Sequence, residues 1–365
     1  MPHKFIIAGG GTGGHIFPAI AIANGIKQRE PDADILFVGA KGRMEMDKVP
    51  SAGFKIIGLN ISGLKRSLNV SNFLVPLKLF VAILKASKII KEFKPDIAIG
   101  VGGYASSALL YAATKKRIPT LIQEQNSYAG ITNKILGQRV NKVCVAYEGM
   151  ERFFPSSKIV ITGNPVRNEI LSQEGKKEKG LLHFNLNPEK FTILVIGGSL
   201  GAFSINQAIE KNLKKLHENG VQLIWQTGTG FYTQAREALA KFGDSSLQAF
   251  DFIKEMDMAY AVSDLIVSRA GAIAVSELCL IKKPSILIPY PHAAEDHQTH
   301  NAMALVNHGA AIMIKDTLVR DQLGDAILNL YSDRSKRDEL IHNIELMGRK
   351  NATQLIVNEI FDLIG

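Results

Sequence analysis

The sequence predicts an α/β protein made of two Rossmann-like domains, each built on a parallel sheet. Three observations support this prediction. The chain has 365 residues, which is too long for one ordinary core and suits two domains. Short aliphatic or β-branched runs alternate with helical stretches along most of its length, as in βα units. A strand, a glycine turn and a helix also follow one another near the start of each half.

Candidate strands form two series along the chain. In the first half they are Lys4–Ala8, Asp34–Val38, Ile97–Val101, Thr120–Gln123 and Lys142–Ala146. In the second half they are Phe191–Ile196, Gln222–Gln226, Asp264–Val267, Ser285–Ile288 and Ala311–Ile314. The polar stretch 173–190 is interpreted as a connecting surface segment. We place the first domain at residues 1–164 and the second at residues 165–347.

The two glycine turns predict two sites for phosphate groups. Gly9–Gly14 leads into a helix that begins near Pro18, and Gly197–Ala202 leads into a helix that begins near Ser204. A helix N-terminus reached in this way presents bare N–H groups and the positive end of the helix dipole. Because ligands bind at the carboxyl edge of such sheets, we expect the two domains to face each other across a cleft.

The first turn also matches the dinucleotide fingerprint, so an oxidoreductase is an alternative. That fingerprint needs a carboxylate at the end of the second strand, and residues 38–43 contain none. A nucleoside triphosphatase loop needs Lys-Ser/Thr after its last glycine, where His15 and Ile16 stand. The alternative that this turn serves only packing also remains. His15, at a helix N-terminus, is suited to proton transfer or to contact with an anion.

Two further turns add candidate binding residues. The turn 100–105 would open the same edge of the first sheet to a second ligand. In the second half, Ser268–Ala272 follows a strand, and Glu277 lies one to two turns into the next helix. Gly271 permits the close approach of a phosphate, and Glu277 is a carboxylate of the kind that holds a ribose diol. A helix-start turn with a surface glutamate is the alternative.

Charge and composition restrict the partners. Residues 1–164 contain 22 Lys and Arg against 10 Asp and Glu, whereas the remainder contains 21 against 24. The first half should therefore meet an anionic partner, either nucleic acid or an acidic membrane. Basic strands interleaved with aromatic residues and a recognition helix are both missing from the sequence, so no nucleic-acid partner is expected. Cys144 and Cys279 lie far apart in apolar stretches, which suits a reducing compartment.

The sequence predicts attachment to a membrane surface and no membrane span. The N-terminus lacks the features of a signal peptide, and no uncharged apolar run reaches 18 residues. The stretch 73–90, placed on a helix, is apolar on two sides, and Lys78, Lys85 and Lys88 share one sector. One side would rest among anionic lipid headgroups, and a helix buried on both sides is the alternative. The proposed membrane patch consists of Phe73, Leu77, Lys78, Phe80, Ile83 and Lys85.

Metal-dependent chemistry is not expected. Asp32-x-Asp34 lies at the start of a strand, which is the wrong end for a ligand crevice. His292, Glu295, Asp296, His297 and His300 have mixed spacing without a recognised zinc pattern.

Motifs spread over nearly the whole chain resemble one family. They are 10–19 (GGTGGHIFPA), 61–64 (ISGL), 102–104 (GGY), 124–126 (EQN), 163–167 (GNPVR), 197–202 (GGSLGA), 269–272 (RAGA) and 296–298 (DHQ). In this order they resemble the MurG family of UDP-N-acetylglucosamine transferases of peptidoglycan synthesis. The resemblance implies a GT-B fold and an inverting transfer without a cofactor. A GT-B transferase of glycolipids that uses another UDP-sugar is the alternative.

The resemblance also implies ligands and a location. The C-terminal domain would bind UDP-N-acetylglucosamine, and the N-terminal domain would bind undecaprenyl-diphospho-N-acetylmuramoyl-pentapeptide. The product is the disaccharide lipid precursor, made at the cytoplasmic face of the inner membrane, where other cell-wall synthesis proteins are compatible partners. The last helix, at about 348–365, would pack back on the first domain.

Site residues follow from the matching motifs. Contacts with the nucleotide sugar are implied for Thr12, Gly13, Gly14, Asn126, Arg167, Ser199, Ile253, Ala272, Ile273, Ala274, Val275, Ser276, Glu277 and Gln298. His15 and Glu124 compete for the role of base, and we favour His15 because histidine titrates near neutral pH. Gln123 stands where many relatives have His, and Ala270 where many have Ser, which affects fine positioning and not the reaction class.

Overall fold

The chain forms two compact units, each built on one parallel sheet. The computed structural model describes residues 2–61, 75–172 and 174–365. Unit 1 comprises residues 1–167 and 351–365, and unit 2 comprises residues 168–350. Within the described ranges, no helix combines the length and the apolar character needed to cross a bilayer.

Unit 1 contains a seven-stranded sheet in the order β3-β2-β1-β4-β5-β6-β7. Its strands are Lys4–Ala8 (β1), Asp34–Ala40 (β2), Lys55–Leu59 (β3), Ile97–Gly100 (β4), Thr120–Glu124 (β5), Lys142–Val145 (β6) and Ile159–Ile161 (β7). Its helices are Gly13–Arg29 (α1), Glu45–Ser51 (α2), Val75–Phe93 (α3), Tyr104–Lys115 (α4), Ile131–Gly137 (α5) and the last helix of the chain, Ala352–Asp362 (α15). Short 3₁₀ turns lie at Met150–Arg152 and Ser156–Lys158.

Both faces of this sheet are buried. Along β1, Ile6 and Ala8 enter one apolar cluster while Phe5 and Ile7 enter another, because successive side chains of a strand point to opposite faces. Helix α15 covers the second face. The ring of Phe361 lies 5.6 Å from that of Phe5.

Unit 2 contains a six-stranded sheet in the order β10-β9-β8-β11-β12-β13. Its strands are Thr192–Ile196 (β8), Gln222–Gln226 (β9), Leu247–Phe250 (β10), Leu265–Ser268 (β11), Ser285–Leu287 (β12) and Ile312–Met313 (β13). Its helices are Asn168–Leu171 (α6), Lys176–His183 (α7), Phe203–Glu218 (α8), Tyr232–Ala240 (α9), Met256–Val262 (α10), Ala272–Ile281 (α11), His297–Val306 (α12), Val319–Ser332 (α13) and Arg334–Glu345 (α14). Ala294–Asp296 and Asp316–Leu318 form 3₁₀ turns.

The ten strands expected from the sequence are present, and the structure adds β3, β7 and β10. All three additions lie at edges of the two sheets. An edge strand is covered less completely than a central one, so its apolar pattern is weaker; all three residues of β7, for example, are only partly buried.

Two local features differ from the prediction. The stretch read as a surface connection is mostly exposed, as expected, but it also contains α7, which packs on α10 so closely that a Cβ on Gly180 would lie 2.6 Å from Val262. Helix α1 begins at Gly13, five residues before the start that was predicted near Pro18. Pro18 therefore lies inside the helix. The first turn of α1 therefore consists of the glycine motif itself and His15.

Candidate functional site

The glycine loop of each unit lies where the strand order of its sheet reverses. In unit 1 this point lies between β1 and β4, and in unit 2 between β8 and β11. Loops leave neighbouring strands in opposite directions there, which opens a crevice at the carboxyl edge of the sheet. Both glycine turns predicted from the sequence follow a strand at this point: β1 in unit 1 and β8 in unit 2.

The first glycine loop of unit 1 joins β1 to the first turn of α1. Gly11 has φ +86°, a left-handed conformation that glycine adopts without strain. Thr12 is the N-cap residue, and Gly13 and Gly14 are the first two residues of the helix. Their N–H groups stand where an α-helix has no intrahelical acceptor, so this end of α1 can receive an anion.

His15 is held against the same loop. Its Nδ1 lies 3.0 Å from the carbonyl oxygen of Gly10 and 3.5 Å from the hydroxyl of Thr12. A carbonyl oxygen can only accept, so Nδ1 carries the hydrogen and the lone pair of the neutral ring is on Nε2. The ring lies beside the second glycine turn, because a Cβ on Gly102 would be 2.8 Å from Nε2. The geometry thus leaves Nε2 with the basic lone pair.

Glu45 was not expected from the sequence. It is the first residue of α2 and is fully buried. One carboxylate oxygen accepts the N–H of Gly11 at 2.9 Å, and the other accepts the N–H of Ala40 at 2.9 Å. A carboxylate therefore does stand at the end of β2, but it is bonded to the glycine loop. A Cβ on Gly10 would lie 2.2 Å from its Oε1, which explains why this position is glycine.

Glu124, the other candidate base, is saturated with hydrogen bonds. Its Oε1 accepts from the backbone and side-chain amides of Asn126 at 3.0 and 3.2 Å. Its Oε2 accepts from the N–H of Gly130 at 3.2 Å and from the amide of Asn133 at 2.8 Å. These four donors fix the carboxylate in place, together with the loop that carries Asn126.

Gln123, where many relatives have His, is also built into the sheet edge. It is fully buried, and its amide donates to Asn164 at 2.8 Å. Asn164 donates in turn to the carbonyl of Gln125 at 2.9 Å. The amide at position 123 thus helps to hold the loop that follows β5.

The glycine loop of unit 2 is supported by Gln226, at the end of β9. Its amide nitrogen donates to the carbonyl of Gly198 at 3.0 Å, and its oxygen accepts the N–H of Ile253 at 2.9 Å. This side chain therefore connects the loop that carries the exposed Ser199 with the backbone of the buried Ile253. Gly201 has φ +77° and touches the neighbouring loop, so a side chain cannot fit there.

The turn after β11 places the second set of unit 2 residues. Helix α11 begins at Ala272, so the N–H groups of Ala272, Ile273 and Ala274 form its first turn. The N–H of Val275 bonds to Gly271, and the hydroxyl of Ser276 donates to Ala272. The next residue, Glu277, is 5% exposed, and its Oε2 accepts from the hydroxyl of Tyr260 at 3.0 Å.

Arg269 and Gln298 hold loops of unit 2 in place. Arg269 forms an ion pair with Asp316 at 2.5 Å and donates to Ser204 at 3.0 Å. The side-chain oxygen of Gln298 accepts the N–H of Tyr290 at 2.9 Å, and its amide nitrogen is the end that can donate to a ligand. Ala270, where relatives have Ser, is fully buried.

The sequence-predicted residues thus form one set in each unit. Thr12, Gly13, Gly14 and His15 lie together in unit 1, and the loop with Glu124 and Asn126 follows β5 of the same sheet. Ser199, Ile253, Ala272–Glu277 and Gln298 belong to unit 2. Arg167 is exposed and is the last residue of unit 1 before unit 2 begins. Among the described residues, no group of three or more His, Cys, Asp or Glu is arranged to hold a metal ion.

Helix α3 carries an exposed apolar face. Leu77, Phe80, Val81 and Leu84 are 59%, 58%, 50% and 55% exposed, and their spacing puts them on one side of the helix. Ala82, Ala86, Ile89 and Ile90 are buried in the core on the other side. The helix is therefore buried on one side only, and the alternative of burial on both sides is wrong. Leu77, Phe80, Val81 and Leu84 are called the α3 face below.

The α3 face differs from the patch predicted from the sequence. Ile83 is half-buried and packs against the core, and Lys85 turns away to donate to the carbonyl of Gly58 at 2.8 Å. Val81, which was not predicted, is exposed, whereas Leu77, Lys78 and Phe80 are exposed as expected. Phe73 lies outside the described residues.

Comparison with known proteins decides the family. The Glycosyltransferase family 28 N-terminal domain matches residues 5–145, and the Glycosyltransferase family 28 C-terminal domain matches residues 192–356. The chain belongs to glycosyltransferase family 28. The two matches correspond to the two sheets, and the turns at both points of strand reversal lie within the matched ranges.

Close relatives within family 28 span the whole chain. A protein of Parabacteroides distasonis is 52% identical over 99% of this chain and 98% of its own length. A protein of Cytophaga hutchinsonii is 52% identical over 100% of this chain and 97% of its own length. Both are named UDP-N-acetylglucosamine--N-acetylmuramyl-(pentapeptide) pyrophosphoryl-undecaprenol N-acetylglucosamine transferase. The resemblance seen in the motifs is confirmed, and the chain is a glycosyltransferase.

Solved structures agree with the family 28 assignment. The crystal structure of MurG from Acinetobacter baumannii superposes with a TM-score of 0.80, at 28% identity, over 99% of this chain and 100% of that one. The fold is therefore GT-B, as predicted. A UDP-GlcNAc 2-epimerase from Neisseria meningitidis, with a TM-score of 0.67 at 16% identity, shares the fold alone.

Proposed function

We propose that this chain transfers N-acetylglucosamine from UDP-N-acetylglucosamine to undecaprenyl-diphospho-N-acetylmuramoyl-pentapeptide, with inversion at the sugar. The observation that carries the proposal is identity of about one half, over the whole chain, to transferases named for this reaction. The two glycine loops support it, because donor and acceptor both contain a diphosphate.

Unit 2 holds the donor in this proposal. The first-turn N–H groups of α11 and the backbone around Ser199 receive the diphosphate, with Arg167 adding positive charge. The carboxylate of Glu277, already oriented by Tyr260, accepts the ribose hydroxyls. The amide of Gln298 recognises a sugar hydroxyl, and Ile253 lines the nucleotide site together with the residues between Ala272 and Glu277.

Unit 1 supplies the base. Nε2 of His15 removes the proton from the acceptor hydroxyl, whose oxygen forms a bond to the anomeric carbon. The bond from that carbon to the diphosphate oxygen breaks, and UDP leaves with the electron pair. The tautomer set by Gly10 supports His15 in this role. The four donors around Glu124 support a different role for that residue, which is to hold Asn126 and its loop in place.

The enzyme works at the cytoplasmic face of the inner membrane, attached through the α3 face. The lipid tail of the acceptor requires such a surface, and four half-exposed apolar side chains on one helix are suited to insertion among headgroups. Lys88 and Lys91, which follow this face towards the C-terminus of the helix, attract anionic lipids.

A transfer assay tests the reaction. Radiolabelled UDP-N-acetylglucosamine, UDP-glucose and UDP-galactose are offered in turn with the lipid-diphosphate acceptor, and only the first should yield labelled lipid. Comparable transfer of glucose or galactose would instead identify a glycolipid transferase of different specificity.

A variant of His15 tests the base. Exchange of His15 for alanine should lower kcat by roughly 10²–10⁴-fold, the usual contribution of general base catalysis. The affinity for UDP, measured by calorimetry, should be unchanged because UDP binds to unit 2. His3→Ala, at the opposite end of β1, is the matched control and should keep full activity. Near-normal turnover in His15→Ala would remove His15 from the mechanism.

A further inference from the structure

Three groups are joined in series around the first glycine loop. The carboxylate of Glu45 accepts the N–H of Gly11 at 2.9 Å. The carbonyl oxygen of Gly10 accepts from Nδ1 of His15 at 3.0 Å. The C=O of Gly10 and the N–H of Gly11 belong to one peptide group, so this single amide connects the carboxylate to the imidazole.

An amide that is hydrogen-bonded at both ends is polarised by both partners. An anionic acceptor on its N–H increases the negative charge on its carbonyl oxygen, which strengthens the bond that this oxygen accepts. Glu45 is completely buried, so water does not weaken the interaction.

From this geometry we infer that Glu45 is a positioning residue for the reaction, acting on His15 through the Gly10–Gly11 peptide. It keeps the hydrogen of His15 on Nδ1 and the lone pair on Nε2, as the buried carboxylate of a catalytic triad does by direct contact. No proton crosses the peptide group. The inference rests on the proposed role of His15 as the base.

The surroundings of Glu45 are shaped for this contact. A Cβ on Gly10 would lie 2.2 Å from Oε1, and a Cβ on Gly39 would lie 2.6 Å from Cγ of the same side chain. The bond to the N–H of Ala40 anchors the second oxygen, so the carboxylate cannot turn away from Gly11 without leaving a buried donor unpaired. Both oxygens are needed, which is why glutamine is not an equivalent replacement.

Kinetics of Glu45 variants provide the first test. In Glu45→Gln only one oxygen remains as an acceptor, and kcat should fall roughly 10- to 100-fold, the usual effect of losing the partner that orients a histidine. KM for UDP-N-acetylglucosamine should change by less than about twofold, because an orienting residue acts on the chemical step. Glu45→Asp, which keeps the charge on a shorter side chain, should recover part of the loss. Asp96→Asn is the matched control. The carboxylate of Asp96 also accepts a backbone N–H in unit 1, that of Lys4 at 2.7 Å, and this variant should have normal kinetics.

Nitrogen NMR of the imidazole provides a second test that a purely structural role would not affect. The nine histidines are labelled with ¹⁵N, and His15 is assigned by its loss in His15→Gln. At a pH where the ring is neutral, wild-type His15 should show a protonated Nδ1 and an unprotonated Nε2. Glu45→Gln should show a mixture of both tautomers.

Each outcome decides the inference. A wild-type His15 protonated at Nε2 would overturn it, and this measurement remains possible even if Glu45→Gln does not fold. A loss of kcat in Glu45→Gln with an unchanged tautomer would show a structural role only and would also overturn it. If His15→Ala remains active, the proposed role of His15 as the base is wrong. If His15→Ala loses activity but Glu45→Gln does not, the role of Glu45 is wrong and His15 is still supported as the base.

Discussion

Replacement of Phe80 and Leu84 by serine tests the membrane surface of α3. The two side chains are 58% and 55% exposed, so membrane insertion would bury roughly half of each beyond what folding already buries. Complete burial of such a side chain contributes about 1.5–3 kcal/mol. Half of that for two side chains is about 1.5–3 kcal/mol, which corresponds to a loss of roughly 10- to 150-fold in vesicle affinity.

The assay is co-sedimentation with vesicles that contain or lack phosphatidylglycerol. Wild type should bind the anionic vesicles more strongly, and added salt should weaken binding because Lys88 and Lys91 contribute about 1 kcal/mol each. The double variant should keep the wild-type Tm, since both positions are exposed and surface exchanges change stability by about 0.5 kcal/mol or less.

A matched control separates the α3 face from general hydrophobicity. Leu182 and Leu346 of unit 2 are 84% and 76% exposed, and their exchange for serine removes similar apolar surface elsewhere. That variant should bind as wild type does. If the α3 variant is folded and binds anionic vesicles as strongly as the control, the membrane surface is not on α3.

Three other predictions concern the donor, the loop after β5 and the thiols. Glu277→Ala should raise KM for the donor by roughly 10- to 150-fold, because charge-assisted hydrogen bonds to a ribose are worth about 1.5–3 kcal/mol; unchanged UDP affinity by calorimetry would contradict the assignment. Glu124→Gln leaves two of four donors without an acceptor. The free energy of unfolding should therefore fall by about 2 kcal/mol or more, and Tm should fall by roughly 4 °C or more. An unchanged Tm with complete loss of activity would instead favour Glu124 as the base. Burial raises the pKa of Cys279 to about 12 and raises the pKa of Cys144 as well. Both thiols should therefore resist iodoacetamide at pH 8 until the protein is unfolded. Because an unfolded thiol ionises near pH 8.5, the free energy of unfolding should fall as pH rises above that value. Rapid labelling of the native protein, or constant stability between pH 8 and 10, would refute the buried thiol state.

The sequence by itself determined the fold class, ten of the thirteen described strands and both glycine loops. These features depend on local signals, namely the alternation of apolar runs and the turn chemistry of glycine, which act over a few residues. The order of the motifs also identified the family. Edge strands such as β7 and the charged helix α7 were missed because their apolar pattern is weak, and only packing against the rest of the unit explains them.

Tertiary structure alone decided which polar groups meet. Nothing local to residues 41–47 indicates that Glu45 reaches the loop after β1, because that contact depends on the pairing of β2 with β1. The hydrogen bond that Nδ1 of His15 donates to Gly10, and the amides that donate to Glu124, likewise became visible only in the structure. Both sides of α3 are apolar in sequence, and the side that is covered is set by the sheet beneath it. Periodicity gives the faces of a helix, but only the completed core determines which face remains exposed.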